Sequence, residues 1–310
     1  MSISTTSIVF FGTQEFARTI LAGLLSNKKF LVQAVITQPD RPVGRKQIMT
    51  ASPVKILALE YNIPVFQPES LKNFDFKKTI DTVPDLNVVA QYGLMIPEAI
   101  INTPKFKTIN VHTSLLPQYR GASPIQSVLI NGDTETGITI MLVDAGMDTG
   151  PILSQQEITI DPTDTYETLD KKMAVVGNDL LLITIPKYLD GEINPQAQND
   201  SLATVCKKLD RDTGRVNWAN SAAEIYNLFR GLYPWPGIWT TWNNLRVKLL
   251  SVKPSNEDLS PGHLKINKKS LLVGCQHSSL EILEIQIEGK NAQSAESFIA
   301  GYAPNNQNFV

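Results

Sequence analysis

The chain has 310 residues, 42% of them apolar and 19% charged, with a net charge of −2 and two cysteines, Cys206 and Cys275. That length is long for one core and points to two domains of an ordinary globular protein. The composition excludes a disulfide framework and a generally basic nucleic-acid coat, and no apolar run approaches the ~20 residues of a membrane span. No basic region precedes the first apolar run, so a secretory signal is not expected and a reducing cytoplasm is the natural compartment.

Ile8-Val9-Phe10-Phe11 reads as a strand running into Gly12, and residues 15–25 as the helix after it. That is the strand–turn–helix opening of a doubly wound α/β fold. The turn holds one glycine instead of G-x-G-x-x-G, which argues against a dinucleotide site. Residues 31–37 read as a second strand. Residues 38–50, with two prolines, one glycine and the cations Arg41, Arg45 and Lys46, have no clear period and read as a long loop. Ser52-Pro53 marks a helix start, with Ser as N-cap and Pro at the first helical position. Strands follow at 85–90, 109–112 and 136–142, with a helix at 124–129 between the last two. This alternation predicts a largely parallel sheet covered on both faces. Residues 165–189 read as a long helix ending at Asp190-Gly191.

Residues 191–204 are polar and weakly patterned and read as a linker, giving domains at 1–190 and 205–310. Beyond the linker, Trp218, Trp235, Trp239 and Trp242 fall within 25 positions. A helix at 222–230 and short β runs at 246–252, 271–273 and 280–287 predict a small antiparallel barrel. The tryptophans suit either its core or a base-stacking platform. Residues 1–204 carry 16 Lys and Arg against 21 Asp and Glu, whereas 205–310 carry 12 against 9. The second part therefore either faces a polyanion or presents a solvated basic surface.

The chemistry gathers around Ile109-Asn110-Val111-His112. On a strand, Asn110 and His112 share one face, and in open α/β sheets ligands bind at the C-terminal ends of the strands. Taken alone, the pair is also compatible with a satisfied core histidine. Downstream, Asp144-Ala145-Gly146-Met147-Asp148-Thr149-Gly150 places two carboxylates four apart between glycines. Gly146 and Gly150 are expected to take turn conformations closed to other residues. Such a loop can fold over a small ligand, hold a metal or be a plain turn. The calcium-loop pattern needs a further ligand and a distal Glu that are missing here, so no metal is expected. Asn, His and Asp together suit acyl-type transfer, with donors for an oxyanion and a carboxylate to take a proton from an attacking amine. No Ser or Cys sits in a nucleophile elbow, which favours direct attack by the substrate.

The N-V-H-x-S-L-L-P element at 110–117, the R-G-A-x-P-I-Q at 120–126 and the D-x-G-x-D-T-G loop at 144–150 resemble the folate-dependent formyltransferases. Thr37-Gln38-Pro39-Asp40-Arg41-Pro42-Val43-Gly44-Arg45, Ser52-Pro53-Val54-Lys55 and Pro234-Trp235-Pro236 are similar to the branch whose acceptor is initiator methionyl-tRNA. Thr113 stands where that branch usually has Gly, and Lys46 stands where a more basic run is usual. The resemblance implies a Rossmann-like formyltransferase domain followed by an OB-like domain that helps bind tRNA. It implies transfer of the formyl group of 10-formyltetrahydrofolate to the methionyl α-amino group, by a monomer, without metal or membrane. By motif match, Asn110, His112 and Asp148 would be catalytic. Leu94, Ile96, Ser114, Leu115, Leu116, Pro117 and Asp144 would frame the folate, while Arg41, Arg45 and Lys46 would contact the acceptor stem. Three rivals fit less well. A glycinamide-ribonucleotide formyltransferase has no C-terminal barrel, and a sugar-nucleotide formyltransferase does not resemble T-Q-P-D-R-P-x-G-R. A non-catalytic RNA-binding protein leaves Asn110, His112 and Asp148 idle.

Overall fold

The computed structural model describes residues 5–302 and 308–310, apart from Arg45, Asp81, Lys268 and the side chain of Lys77. Two compact units result: Met1–Pro124, Glu135–Thr159 and Asp170–Cys206 in the first; Ile125–Thr134, Ile160–Leu169 and Lys207–Val310 in the second. In chain order the elements begin β1 (Thr6–Gly12), α1 (Glu15–Ser26), β2 (Phe30–Ile36), β3 (Arg41–Val43) and β4 (Ile48–Thr50). Next come α2 (Pro53–Glu60), β5 (Val65–Phe66), α3 (Phe76–Thr79), β6 (Leu86–Ala90), α4 (Glu98–Ile101) and β7 (Thr108–His112). After them lie β8 (Arg120–Gly121), α5 (Pro124–Asn131), β9 (Glu135–Leu142), β10 (Ile152–Thr159), α6 (Tyr166–Leu189) and β11 (Val205–Cys206).

The main sheet of the first unit runs β10-β9-β7-β6-β1-β2-β5. Every position of β6 and the last five of β1 are buried. A parallel sheet covered on both faces produces this pattern, which is why these strands lack a polar alternation. β7, β6, β1, β2 and β5 are mutually parallel. β9 runs antiparallel to β7, and β10 antiparallel to β9. The continuous apolar run of β9 marked a buried strand but carried no signal of its direction.

Two expectations from the sequence need correction. Residues 38–50 are not a featureless loop: β3 and β4 pair as a hairpin, Arg41 opposite Thr50 and Val43 opposite Ile48. Its base is anchored by Asp40, whose carboxylate accepts from Lys55 Nζ and Gln67 Nε2, each at 2.7 Å. The Lys55 contact, seconded by Gln67, holds that carboxyl below the usual aspartate range. Ser52 caps α2 by accepting from the Lys55 amide and also bonds Thr37 Oγ1. The second correction concerns 191–204, which belong to the first unit and are not a free linker. Gln196 exchanges both backbone hydrogen bonds with Ile152, and Thr204 O accepts from the Arg120 amide beside the β8–β11 pairing. Two of the polar side chains that suggested a solvated spacer, Gln198 and Thr204, satisfy backbone groups of this unit instead.

The second unit contains α7 (Ala222–Leu232), β12 (Ile238–Trp242), β13 (Leu245–Ser255), β14 (Leu264–Asn267), β15 (Ser270–Cys275), β16 (Ser278–Ile287), β17 (Gln293–Ser294) and α8 (Ala295–Tyr302). A reciprocal capping box between Ser221 and Glu224 starts α7. The antiparallel sheet runs β12-β13-β16-β15-β14, with β17 on β16. Residues 308–310 close it: Val310 exchanges backbone bonds with Thr241 of β12, and the Phe309 amide donates to Gly262 just ahead of β14. Trp218 and Trp242 are core residues packed on Phe309 and Phe298, respectively. The other two tryptophans are not. Trp235 is 59% exposed, and Trp239 lies under the Arg246 guanidinium at 3.7 Å.

Asp170 on α6 ties that helix to the exit of β6 by accepting from Gln91 Nε2 at 3.1 Å. Burial raises its carboxyl above the ordinary aspartate range. The folded state therefore holds this proton more tightly than the unfolded chain does. That stabilisation is complete below the unfolded value and is lost as pH rises through the folded one. Asp170→Asn cannot ionise but still offers Gln91 an acceptor. In thermal unfolding it should melt above the parent at about pH 7, with the difference closing toward about pH 4.

Candidate active site

β7 presents Asn110 and His112 on one face, as the strand period requires. Asn110 is half-buried and paired through its backbone with β6 and β9, while among the described residues its side-chain amide makes no hydrogen bond within the protein. His112 is buried, with Nε2 3.0 Å from the Tyr119 carbonyl and Nδ1 3.7 Å from Asp148 Oδ1. A carbonyl can only accept, so Nε2 carries a hydrogen in either protonation state and Nδ1 is the atom that gains or loses one. At that distance the carboxylate faces Nδ1 through space, about 0.8 Å beyond a charge-assisted hydrogen bond.

Asp148 reaches His112 by an indirect route. β9 is antiparallel to β7 and ends with Leu142 beside Ile109, at the far end of β7 from His112. The loop after it must double back, and its sharp turn falls on Asp148 itself, at φ +56°. Gly146 and Gly150 do not take positive φ, contrary to expectation. Gly150 is needed for close approach, since a Cβ there would sit 1.9 Å from Leu142 O. Asp148 Oδ2 accepts from the Gly121 amide at 2.8 Å. Gly121 has φ +115°, and a Cβ on it would come within 2.4 Å of Cys206 O, so the position admits little else. Asp144 organises the same loop, accepting from the Gly146 amide at 3.0 Å and from Thr149 Oγ1 at 2.7 Å.

The turn after β7 is held from within. Ser114 Oγ donates to Gln118 O at 2.6 Å, while Thr139 Oγ1 donates to Ser114 O and accepts from the Leu116 amide. Gln155 Nε2 donates to Leu116 O at 2.8 Å. Ser114 and Leu116 are buried, so these two side chains shape the turn, while Leu115 and Pro117 stay half-exposed. Leu94 and Ile96 are also half-buried, packed on the cluster of Tyr92, Phe11 and Ile100. Burial pushes the Tyr92 phenol up to about 12, which makes it a wall and not an acid–base group.

Arg41 and Lys46 lie on the β3–β4 hairpin, both exposed, and Arg41 Nη2 pairs with Glu69 at 3.2 Å. Among the described residues neither forms a hydrogen bond or ion pair with Asn110, His112 or Asp148, and Arg45 lies outside them. Sequence reasoning missed three groups that hold the site: the Tyr119 carbonyl, the Gly121 amide and Gln198. Tyr119 immediately precedes the R-G-A-x-P-I-Q motif and Gly121 is its second residue, and their nearness to N-V-H was a usable signal. Gln198 had none, because polarity alone suggested a linker. Among the described residues no group of three or more His, Cys, Asp or Glu is placed to hold a metal, and no helix is long and apolar enough to cross a membrane.

Two family models match this chain: Formyl transferase over residues 6–185, and Formyl transferase, C-terminal domain, over 208–303. The methionyl-tRNA formyltransferase of Thermodesulfovibrio yellowstonii is 44% identical over 299 residues, covering 96% of each chain. That of Enterococcus faecalis is 41% identical over 305 residues and 97% of each chain. The solved methionyl-tRNA formyltransferase from Clostridium thermocellum shares the fold, with TM-score 0.58 and 17% identity over 91% of this chain and 98% of that one. So does WlaRD, a sugar 3N-formyl transferase, with TM-score 0.64 and 20% identity over 93% of this chain and 99% of that one. Relatives above 40% identity along nearly the whole length, together with both domain matches, make this chain a member of the methionyl-tRNA formyltransferase family.

Proposed function

We propose that this chain transfers the formyl group of 10-formyltetrahydrofolate to the α-amino group of methionine esterified to initiator tRNA, the formylation that supports translation initiation. The observation that carries the reading is the uncommitted Asn110 amide beside the His112–Asp148 pair, on one strand face of a chain from this family. The neutral amine attacks the formyl carbon, a C–N bond forms, and the carbonyl electron pair moves onto oxygen. The Asn110 amide and a protonated His112 Nδ1 donate to that oxyanion, a type of contact worth about 2.7–4 kcal/mol per donor. Asp148 takes the proton released by the amine, directly or through water. Collapse of the adduct breaks the bond to N10 of the folate, which leaves with a proton, so one proton passes in total from amine to N10.

The half-buried Leu94, Ile96, Leu115 and Pro117 supply apolar contacts for the folate. Ser114, Leu116 and Asp144 hold the loops that frame it. The hairpin cations Arg41, Arg45 and Lys46 meet acceptor-stem phosphates, which position the tRNA without reading its sequence. On the second unit Arg246 covers the Trp239 ring while Arg215 lies 5.8 Å from its centroid, so this indole backs a basic surface and is not a bare stacking platform. One chain supplies all three catalytic groups, so a monomer suffices. Neither cysteine is in a disulfide, in keeping with a reducing cytoplasm.

Formyl transfer to charged initiator tRNA, with glycinamide ribonucleotide and an amino-sugar nucleotide as competing acceptors, tests the assignment directly. Within that assay Asp148→Asn keeps the side-chain shape and removes the charge. Turnover should fall roughly 10²–10⁴-fold, the range for positioned acid–base groups, with tRNA affinity little changed. Near-normal turnover of the folded variant would remove Asp148 from the mechanism.

The hairpin gives a second test. Arg41 is paired with Glu69, so its alanine variant should lose little kcat/KM for charged tRNA, whereas replacing Arg45, which follows Gly44 near the middle of the segment in sequence, by alanine should cost more. A loss below about threefold for Arg45→Ala, under ~0.7 kcal/mol, would mean that the hairpin does not recognise tRNA.

A further inference from the structure

Asp148 is gripped from two sides, and only one of them is its carboxylate. Its backbone carbonyl accepts from Gln198 Nε2 at 2.9 Å, and the same nitrogen donates to Gly150 O at 2.7 Å. Gln198 Oε1 accepts from Arg120 Nε at 3.0 Å and from Arg120 Nη2 at 2.8 Å. Every polar atom of this amide is therefore committed. A flipped amide would set its oxygen against two carbonyls and its NH2 against a guanidinium, so its orientation is fixed. Arg120 is buried, and the next residue, Gly121, donates to the Asp148 carboxylate. The Arg120-Gly121 pair thus holds both ends of Asp148, the carboxylate by a backbone amide and the carbonyl by way of Gln198. Gln198 lies between the two family matches, which end at 185 and resume at 208.

We propose that Gln198, oriented by Arg120, is a positioning residue for Asp148, so that the segment joining the two family regions is part of the active-site machinery. The inference rests on the catalytic role proposed for Asp148. A left-handed backbone at a non-glycine residue persists only where its surroundings over-determine it, and the two carbonyls bound by Gln198 are that of Asp148 itself and that of Gly150 two residues on. Releasing them lets the loop relax and carries the carboxylate away from His112 Nδ1. A misplacement of about 1 Å is enough to cost ~10²-fold in rate.

The test is a double-mutant cycle in the full chain, read by single-turnover formylation of charged initiator tRNA. Gln198→Ala should lower the rate roughly 10–100-fold with both KM values nearly unchanged. In the Asp148→Asn background the same substitution should cost less than about threefold, because the group it positions is already disabled. Gln198→Glu keeps the acceptor for Arg120 but faces two carbonyls with oxygen, so it should match Ala; it replaces Ala in the cycle should that variant not fold. A loss that carries undiminished into the Asp148→Asn background, or no loss at all, overturns the positioning role while leaving the reaction assignment intact. Normal turnover of Asp148→Asn alone would instead overturn the catalytic reading on which the inference rests.

Discussion

One backbone carbonyl, that of Tyr119, determines how His112 can act. By accepting from Nε2 it fixes the ring plane and leaves Nδ1 as the nitrogen that faces Asp148. The arrangement carries strain, since Tyr119 and Asp148 both sit at positive φ, 58° and 56°. Such conformations cost about 1–3 kcal/mol each in non-glycine residues. A hydrogen bond to a charged group contributes about 1.5–3 kcal/mol and a neutral one about 0.5–1.5. The Gly121 contact to the carboxylate, the Gln198 contacts to the loop and the His112 contact to Tyr119 are together of the right size to hold both residues in place. The site is thus maintained by backbone groups at least as much as by its named side chains.

Much of this was readable in the chain, and what escaped did so for definable reasons. The helix start at Ser52-Pro53, the buried strands around Ile8–Phe11 and 85–90, and the shared face of Asn110 and His112 follow from capping chemistry and periodicity, which are local. The direction of β9 is not local. A strand buried on both faces looks the same read either way, and its reversal changes how Asp148 arrives. The β3–β4 hairpin escaped because its strands are three residues each and fully exposed, with no apolar alternation to mark them. Residues 191–204 escaped because a polar side chain that satisfies a backbone carbonyl is indistinguishable in sequence from one that meets water.

The proposed acceptor also explains an otherwise odd charge distribution. A chain of net charge −2 would repel a polyanion weakly as a whole, yet its cations are in excess over 205–310. Local surfaces matter more than the total at physiological salt, where charges separated by more than about 8 Å are largely screened. An Arg stacked on Trp239 has fewer rotamers to lose than a free one, so any anion reaching this surface would meet a donor already in place.

The closing of the second sheet by residues 308–310 has a bearing on solubility. Without those three residues the strands from β12 to β14 would still be paired with one another, but Thr241 of β12 would lose both of its outer backbone partners and the Gly262 carbonyl ahead of β14 would lose the Phe309 amide. Phe309 would leave the Trp218 face and uncover an apolar pocket beside the freed edge. An unpaired edge next to exposed apolar surface is the arrangement that recruits a strand from another molecule. Trimming this end would therefore show itself first as association between chains.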